Sequence, residues 1–529
     1  MLPSAEPTAR RTGTARSQSA LFSLTLMLLT PSFVHTLGLI PRLGRVLATA
    51  GHPGTPNVTL NWYTQQLDHF DFREKASWQQ RYFTYDTHWA PGGPILFYCG
   101  NEASVELYVN ATGLMWERAA ELGARLVFAE HRYYGASLPL GPASTANAST
   151  LRFLTMEQAL ADYATLIYHL KSQAAADRAH GTVPAVVALG GSYGGMLAAW
   201  LRFHYPNAVV GAIAASAPVL AFDGIDAPGS LFDGRKYWEV VSRDASVSPG
   251  GSAAGCVEGV GATWPHLFAI GATPAGRAAL SSTFRLCGTV RGPEDVTRLA
   301  AWLLNVWDTL AMGNFPYPSN YLVFQQTQDP SVTLPAWPFR AACAAFEGAT
   351  KAMPPAELLA RMAIAAGVLY NATHAEKCYE LPTDPNFDGI WDYQWCTERL
   401  PQETYFGRAG PPTDMFWAVA ENRSAVAAHC EKKYGVGAKG SLPWIAASSA
   451  FGAQAGSNVL FSNGEYDPWR SGGVLTDLGP SVRALEVAHG AHHLDLFFSN
   501  EADPPSVKQA REAEVAAMKA WIHATPWTS

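Results

Sequence analysis

Gly190-Gly191-Ser192-Tyr193-Gly194-Gly195 follows the apolar, β-prone run Ala185-Val186-Val187-Ala188-Leu189 and precedes Met196-Leu197-Ala198-Ala199-Trp200-Leu201, which reads as a helix. A serine between glycines at a strand-to-helix junction is a nucleophile elbow. The turn is strained, and the glycines leave room for neighbouring backbones to pass closely. Ser192 is therefore the candidate nucleophile. A phosphate cradle is disfavoured, because no Lys-Ser/Thr follows and the Gly-x-Gly-x-x-Gly spacing is absent.

Outward from the elbow, strands alternate with helices. Gln80 to Tyr85, Pro94 to Cys99 and Ala124 to Glu130 read as strands, and Leu114 to Leu122 has helical spacing. Thr155 to Gln173 repeats apolar residues at helical intervals (Met156, Ala159, Leu160, Tyr163, Leu166, Ile167, Leu170), marking one buried face. Val209 to Ala215 is a further short buried strand. Several strands are apolar throughout, as a largely parallel sheet covered on both faces requires. The alternation breaks after Pro218. Residues 220–435 carry helical segments near Arg298 to Met312 and Ala356 to Leu369, six cysteines, and loops rich in Pro, Gly and Trp. They read as an inserted, mainly helical lid. Strands return at Val459 to Ser462 and Val482 to Val487, and a last helix runs from Ser506 to Ile522. The expected organisation is a targeting segment over 1–50, core over 51–219, lid over 220–435 and core again over 436–529, on an α/β-hydrolase fold.

The whole chain sets bounds on function. Its 529 residues are enough for roughly two to four domains. A net charge of −7 provides no basic footprint for nucleic acid. A charged fraction of 15% beside 17 Trp, 20 Tyr and 24 Phe describes a packed protein rather than a disordered one. Arg10, Arg11 and Arg16 precede the apolar stretch Ala20 to Leu29, which has signal-peptide length and is too short to span a bilayer comfortably, so no stable membrane span is expected. Five sequons, at Asn57, Asn110, Asn147, Asn371 and Asn422, agree with entry into the secretory pathway and mark expected glycosylation sites. Cys99 lies inside an apolar strand and reads as a buried free thiol. The other six cysteines (Cys256, Cys287, Cys343, Cys378, Cys396 and Cys430) read as disulfide partners whose pairing spacing alone does not select.

A serine hydroxyl needs a base to take its proton, and the base needs a third group to hold its tautomer. In α/β-hydrolases the acid and then the histidine follow the serine. Asp467 and His492 meet that order, each just beyond a strand's C-terminal end, where open α/β sheets place their sites. His493 is the rival base, since a turn at Gly490 can present either neighbour. The His489, His492, His493, Asp495 cluster lacks any strong metal-ligand spacing, so no metal and no cofactor are called for. The oxyanion hole needs two backbone N–H groups: Tyr193, directly after the nucleophile, and one from the loop Gly100-Asn101-Glu102, with Gly100 first. Glu102 has two readings, substrate contact or dipole partner of the following helix.

With these residues placed, the chain resembles the family of lysosomal Pro-X carboxypeptidase and dipeptidyl peptidase II. The matching stretches are Gln66-Leu67-Asp68-His69-Phe70, Gly100-Asn101-Glu102, Phe128 to Gly135, Glu157 to Asp162, the Ser192 elbow, Asn463-Gly464-Glu465 with Asp467-Pro468-Trp469, and Gly490 to Leu496. The resemblance implies a serine exopeptidase acting beside proline, in the lysosome or secreted, on peptides containing proline; a homodimer is compatible with it. By motif position, Met196 and Trp469 would line the pocket for the prolyl ring. The resemblance also implies disulfides Cys256 to Cys343, Cys287 to Cys378 and Cys396 to Cys430. Phe497 departs from the pattern, since the family commonly has an arginine there, and this puts the family's acidic working range in question. A dipeptidyl peptidase needs an anion for the free amine, for which Asp384 is a candidate with Glu102 assisting. As a residue before proline, Asp384 reads equally well as a turn former. A carboxypeptidase needs a cation, and no matched arginine stands out. The lid segments Asn314 to Pro318 and Trp391 to Gln394 tilt the reading slightly towards removal of N-terminal Xaa-Pro dipeptides. Pro-X carboxypeptidase is the alternative, followed by a lipase or esterase and a non-catalytic glycoprotein on the same fold.

Overall fold

In the computed structural model, which describes residues 58–177, 182–222, 232–251, 253–323, 329, 331–382, 389–436 and 456–524, the apolar runs pair into one eight-stranded sheet. Its strands are β1 (Thr59–Gln66), β2 (Ser77–Tyr85), β3 (Ile95–Cys99), β4 (Arg125–Ala129), β5 (Val186–Gly191), β6 (Gly211–Ala215), β7 (Val459–Gly464) and β8 (Val482–Val487). They lie in the order β1-β2-β4-β3-β5-β6-β7-β8. Only β2 runs against its neighbours; from β4 to β8 every pairing is parallel. β3, β5, β6 and β7 are buried at every position, which is why their sequences, Asn463 apart, are apolar or small rather than alternating. Helices Met156–Ala176 and Tyr193–His204 cover one face, around Leu160, Leu166, Leu197 and Trp200. Helices Gly113–Leu122 and Pro505–His523 cover the other, around Met115, Val515 and Met518. This is the α/β-hydrolase arrangement. β1 is the element the sequence pattern concealed: five of its eight residues are Thr, Asn or Gln, and it pairs only with β2 at the sheet's edge.

Between β6 and β7 the chain leaves the sheet for the lid. Helices Arg235–Asp244, Cys256–Gly271, Pro274–Thr283, Pro293–Met312, Pro338–Ala344 and Pro355–Tyr370 bury a core of their own around Trp264, Leu303, Trp307, Phe339 and Phe346. Disulfides Cys256–Cys343 and Cys287–Cys378 staple this unit. Cys396–Cys430 ties helix Trp391–Glu398 to helix Arg423–Tyr434, so all three pairings are those the resemblance implies. This last segment serves two cores at once. Trp395, Leu400 and Cys430 pack into the cluster beneath the sheet. Phe406, Met415 and Phe416 pack into the lid. It is a strap between the two, more than a further lid helix. Cys99 is free and buried in β3, and burial pushes its thiol up.

The expected targeting segment, Asn57, Asp384 and most of the start of the second core part lie outside the described residues. Asn147 and Asn422 are exposed, and each side-chain oxygen caps a short helix, leaving the amide nitrogen unused by the cap. Asn110 and Asn371 are half-buried. Among the described residues no helix is long and apolar enough to cross a membrane.

Candidate active site

β5 delivers Ser192 in a conformation that non-glycine residues rarely adopt, φ 59° and ψ −131°. Its N–H donates to Ala215 O at 2.9 Å, fastening the elbow to β6. Tyr193 opens the next helix, and an N–H in a first turn has no intrahelical acceptor, so its amide is available to a ligand. Gly194 is needed for space: a β-carbon there would stand 2.7 Å from Cys99 O, because the loop after β3 lies directly against the helix start. That loop corrects one expectation. The Gly100 N–H already donates to Ala129 O at 3.0 Å and continues the sheet, so it is not a free oxyanion donor. The next amide of the loop, Asn101, inherits the candidacy.

On the far side, β7 and β8 present Asp467 and His492. Asp467 is fully buried and caps the 3-10 turn Pro468–Gly472, its Oδ1 accepting from Trp469 N–H at 3.0 Å. Its Oδ2 lies 2.9 Å from His492 Nδ1. A carboxylate only accepts, so Nδ1 carries the proton and Nε2 keeps a lone pair, the tautomer a general base requires. Two further bonds pin the turn. His492 N–H donates to Met312 O at 3.1 Å, from the C-terminus of lid helix Pro293–Met312. His493 N–H donates to Ser216 Oγ at 2.8 Å, at the end of β6. The His493 ring then rests on Gly191, where a β-carbon would come within 2.8 Å of it, and this brings the histidine turn against the elbow.

The two histidines have unlike surroundings. His493 is buried with its Nε2 3.3 Å from the Tyr321 hydroxyl, and burial together with the neighbouring His492 charge holds its imidazole well below the usual range. The carboxylate goes to His492. Phe497 fills the place beside His493 with apolar contacts, 5.2 Å to that ring, 4.9 Å to Tyr321 and 5.1 Å to Phe315.

The expected substrate-binding residues are placed unevenly. Met196 is buried in the core cluster beneath the sheet. Trp469 sits at the margin of the lid cluster, edge-on to Tyr237 at 5.0 Å, its indole N–H 3.1 Å from Met312 Sδ. Glu102 lies among the phenols of Tyr98, Tyr108, Tyr193 and Tyr321; burial raises the pKa of each, and the Glu102 charge adds to the rise. Sequence reasoning missed Met312, Ser216 and the role of Gln394. Gln394 Nε2 donates to the Tyr193 hydroxyl at 2.6 Å, while Tyr134 donates to Gln394 Oε1 at 2.8 Å. Trp391 lies edge-on to the Tyr193 ring at 5.3 Å. The strap thus reaches the residue next to the candidate nucleophile, 201 positions away in sequence. No local pattern signals a contact of that range.

Residues 65–514 match the profile of the family described as Serine carboxypeptidase S28. The chain belongs to the S28 family. This S28 chain is similar to the lysosomal Pro-X carboxypeptidase of Bos taurus, 38% identical over 483 residues that cover 88% of this chain and 89% of the relative. The lysosomal Pro-X carboxypeptidase of Homo sapiens is 37% identical over 520 residues, covering 94% and 97%. The thymus-specific serine protease of Homo sapiens is 28% identical, covering 89% and 88%. As an S28 member the protein is a serine-type exopeptidase, and the non-catalytic and lipase readings fall away.

Proposed function

We propose that the protein is a Pro-X carboxypeptidase, removing the C-terminal residue that follows proline through an acyl-enzyme on Ser192. The observation that carries this reading is 37–38% identity, over nearly the full length of both chains, to proteins of that name. The sequence alone leaned towards removal of N-terminal dipeptides, with Asp384 as the candidate amine anchor; the identity to carboxypeptidases now favours the alternative. In the proposed reaction His492 Nε2 takes the proton of Ser192 Oγ as the oxygen attacks the prolyl carbonyl. Asp467 holds the Nδ1–H tautomer and stabilises the imidazolium that forms. The Tyr193 and Asn101 amides face the developing oxyanion. His492 then gives its proton to the departing amine, the C–N bond breaks and the C-terminal amino acid leaves. Water, activated by the same histidine, hydrolyses the prolyl ester and restores Ser192. Met196 and Trp469 are the proposed apolar walls for the prolyl ring, and the lysosome or the extracellular space is the proposed site of action.

Two matched peptides test this: an N-blocked peptide ending in Pro-Phe, and an Xaa-Pro amide with a free amine. Release of Phe from the first alone supports the carboxypeptidase. Cleavage of the second alone replaces it with a dipeptidyl peptidase, and cleavage of neither removes the proline specificity.

A further inference from the structure

The strap helix Trp391–Glu398 turns one face to the core. Trp391, Gln394 and Glu398 are spaced by three and then four residues, so they share that face. Trp391 meets the Tyr193 ring and Gln394 the Tyr193 hydroxyl. Glu398 Oε2 accepts from Met156 N–H at 2.9 Å, at the start of helix Met156–Ala176. Gln394 and His131 are completely buried, and Tyr193 and Tyr134 nearly so.

The partners dictate the direction of every bond around Gln394. His131 Nδ1 lies 2.7 Å from Arg132 O, and a carbonyl only accepts, so Nδ1 holds the ring proton. Burial, aided by the Arg132 charge, lowers the His131 pKa to about 4, so Nε2 keeps its lone pair at neutral pH. The Tyr193 hydroxyl, 3.2 Å from that nitrogen, donates its only proton there. The bond to the strap must then be donated by Gln394, whose Nε2 stands 2.6 Å away. Its Oε1 is left to accept from Tyr134 at 2.8 Å. Tyr134, Gln394, Tyr193 and His131 thus form one buried chain of consistent direction, ending on Arg132 O in the loop after β4.

We propose that Gln394 is a positioning residue for the oxyanion hole: through the Tyr193 phenol it fixes the Ser192–Tyr193 peptide, whose N–H is the proposed oxyanion donor. This deepens the reading of Ser192 and Tyr193 given above and rests on it. Ser192, at φ 59° and ψ −131°, holds a conformation that persists only where the surroundings over-determine it. Ala215 O fastens the elbow on the Ser192 side, and the phenol fastens it on the Tyr193 side. Without Gln394 the Tyr193 hydroxyl loses a donor and the Tyr134 hydroxyl an acceptor, both inside the core. The ring then shifts to recover partners, and the peptide follows it.

The test is steady-state kinetics on whichever of the two peptides is cleaved, with Tm as the control. Gln394→Met keeps the length of the side chain and removes both hydrogen bonds. Removing an oxyanion donor costs ~10²–10³-fold in kcat; loosening one is expected to cost about tenfold to 10²-fold, with KM within about threefold of wild type. In a Tyr193→Phe background the phenol is already gone, and the same replacement is expected to change kcat by less than about twofold. A folded Gln394→Met enzyme with wild-type kcat overturns the proposal. A loss confined to KM does so too, as does a loss undiminished in Tyr193→Phe, which would make Gln394 a brace of the core acting independently of the phenol. If Gln394→Met fails to fold, Tyr193→Phe carries the test alone, since it cuts the same link and leaves Gln394 with Tyr134. Its kcat should fall by about tenfold or more, and an unchanged kcat overturns the proposal. Ser192→Ala separates the two readings. Turnover surviving in it overturns the nucleophile assignment; turnover lost there with wild-type kcat in Gln394→Met overturns the Gln394 assignment alone.

Discussion

Replacing Asp467 by asparagine keeps the shape of the site and reverses one hydrogen bond. Oδ1 of Asp467 receives the Trp469 N–H at 3.0 Å, and an asparagine must keep its carbonyl oxygen at that position. Its NH₂ then faces His492 Nδ1 at the 2.9 Å now spanned by Oδ2. Nδ1 has to become the acceptor, so the ring proton moves to Nε2 and no lone pair remains for the Ser192 proton. A tautomer error of this kind costs about 10⁴-fold in kcat, or about 5.5 kcal/mol of transition-state stabilisation. The fold should be little affected, since volume and both contacts are kept. The assay is kcat on the cleaved peptide, with Tm as the control and labelling of Ser192 by an organophosphonate as a second readout of nucleophilicity. A folded Asp467→Asn enzyme with kcat within about tenfold of wild type would refute the tautomer reasoning. His493→Gln in the same assay decides between the histidines: a loss as large as that of Asp467→Asn would move the base to His493.

Three further outcomes are expected. Glu514 is fully buried beside Asp495, and burial with that neighbouring charge raises its carboxyl well above the usual range. Its folded form therefore holds a proton that the unfolded chain releases above about pH 4.5, so this contribution is complete below that pH and fades as pH rises, by up to about 1.4 kcal/mol per unit. Glu514→Gln should flatten the loss of urea stability between about pH 5 and pH 7.5, and an unchanged slope would count against it. Serine at both Cys396 and Cys430 opens a loop of 34 residues and should lower stability by about 4 kcal/mol, with activity falling as Gln394 is released from Tyr193; a fully active, equally stable variant would deny the strap its role. Gly194→Ala places a methyl 2.7 Å from Cys99 O and 3.0 Å from Asn101 Oδ1, displacing the loop that carries the proposed second oxyanion amide, and should cost at least ~10²-fold in kcat with a smaller effect on KM.

Most of the hydrolase core was legible because its strands are buried on both faces. Runs such as Ile95 to Cys99 and Val186 to Leu189 have no other use for so many apolar residues. The placement of the candidates Ser192, Asp467 and His492 was legible for a topological reason, since each follows a strand of the parallel part of the sheet. β1 was not legible, because this edge strand inverts the usual pattern, with Gln65 buried and Leu60 and Trp62 exposed. The Gly100 expectation met a bonded amide: whether an N–H at a strand's end still belongs to the ladder depends on register with β4, which no single-strand pattern encodes. Met312 and Gln394 were out of reach because their meaning lies in contacts between the lid and the core, each made across a hundred residues or more.

The insertion also has a consequence for how the chain is made. β6 pairs with β7 in register Ala212 to Val459, 247 residues later. At ribosomal speeds of about 5–20 residues per second, one edge of β6 emerges and stays without its neighbour for roughly 12–50 s. During that interval the nascent chain displays Gly-Ala-Ile-Ala-Ala with an open ladder, a template for pairing with any passing strand. The lid, with its own core and two internal disulfides, is equipped to fold within that window, before the sheet that will carry it is complete. Yield in a cell should then follow chaperone and oxidase capacity during synthesis more closely than the equilibrium stability of the finished enzyme.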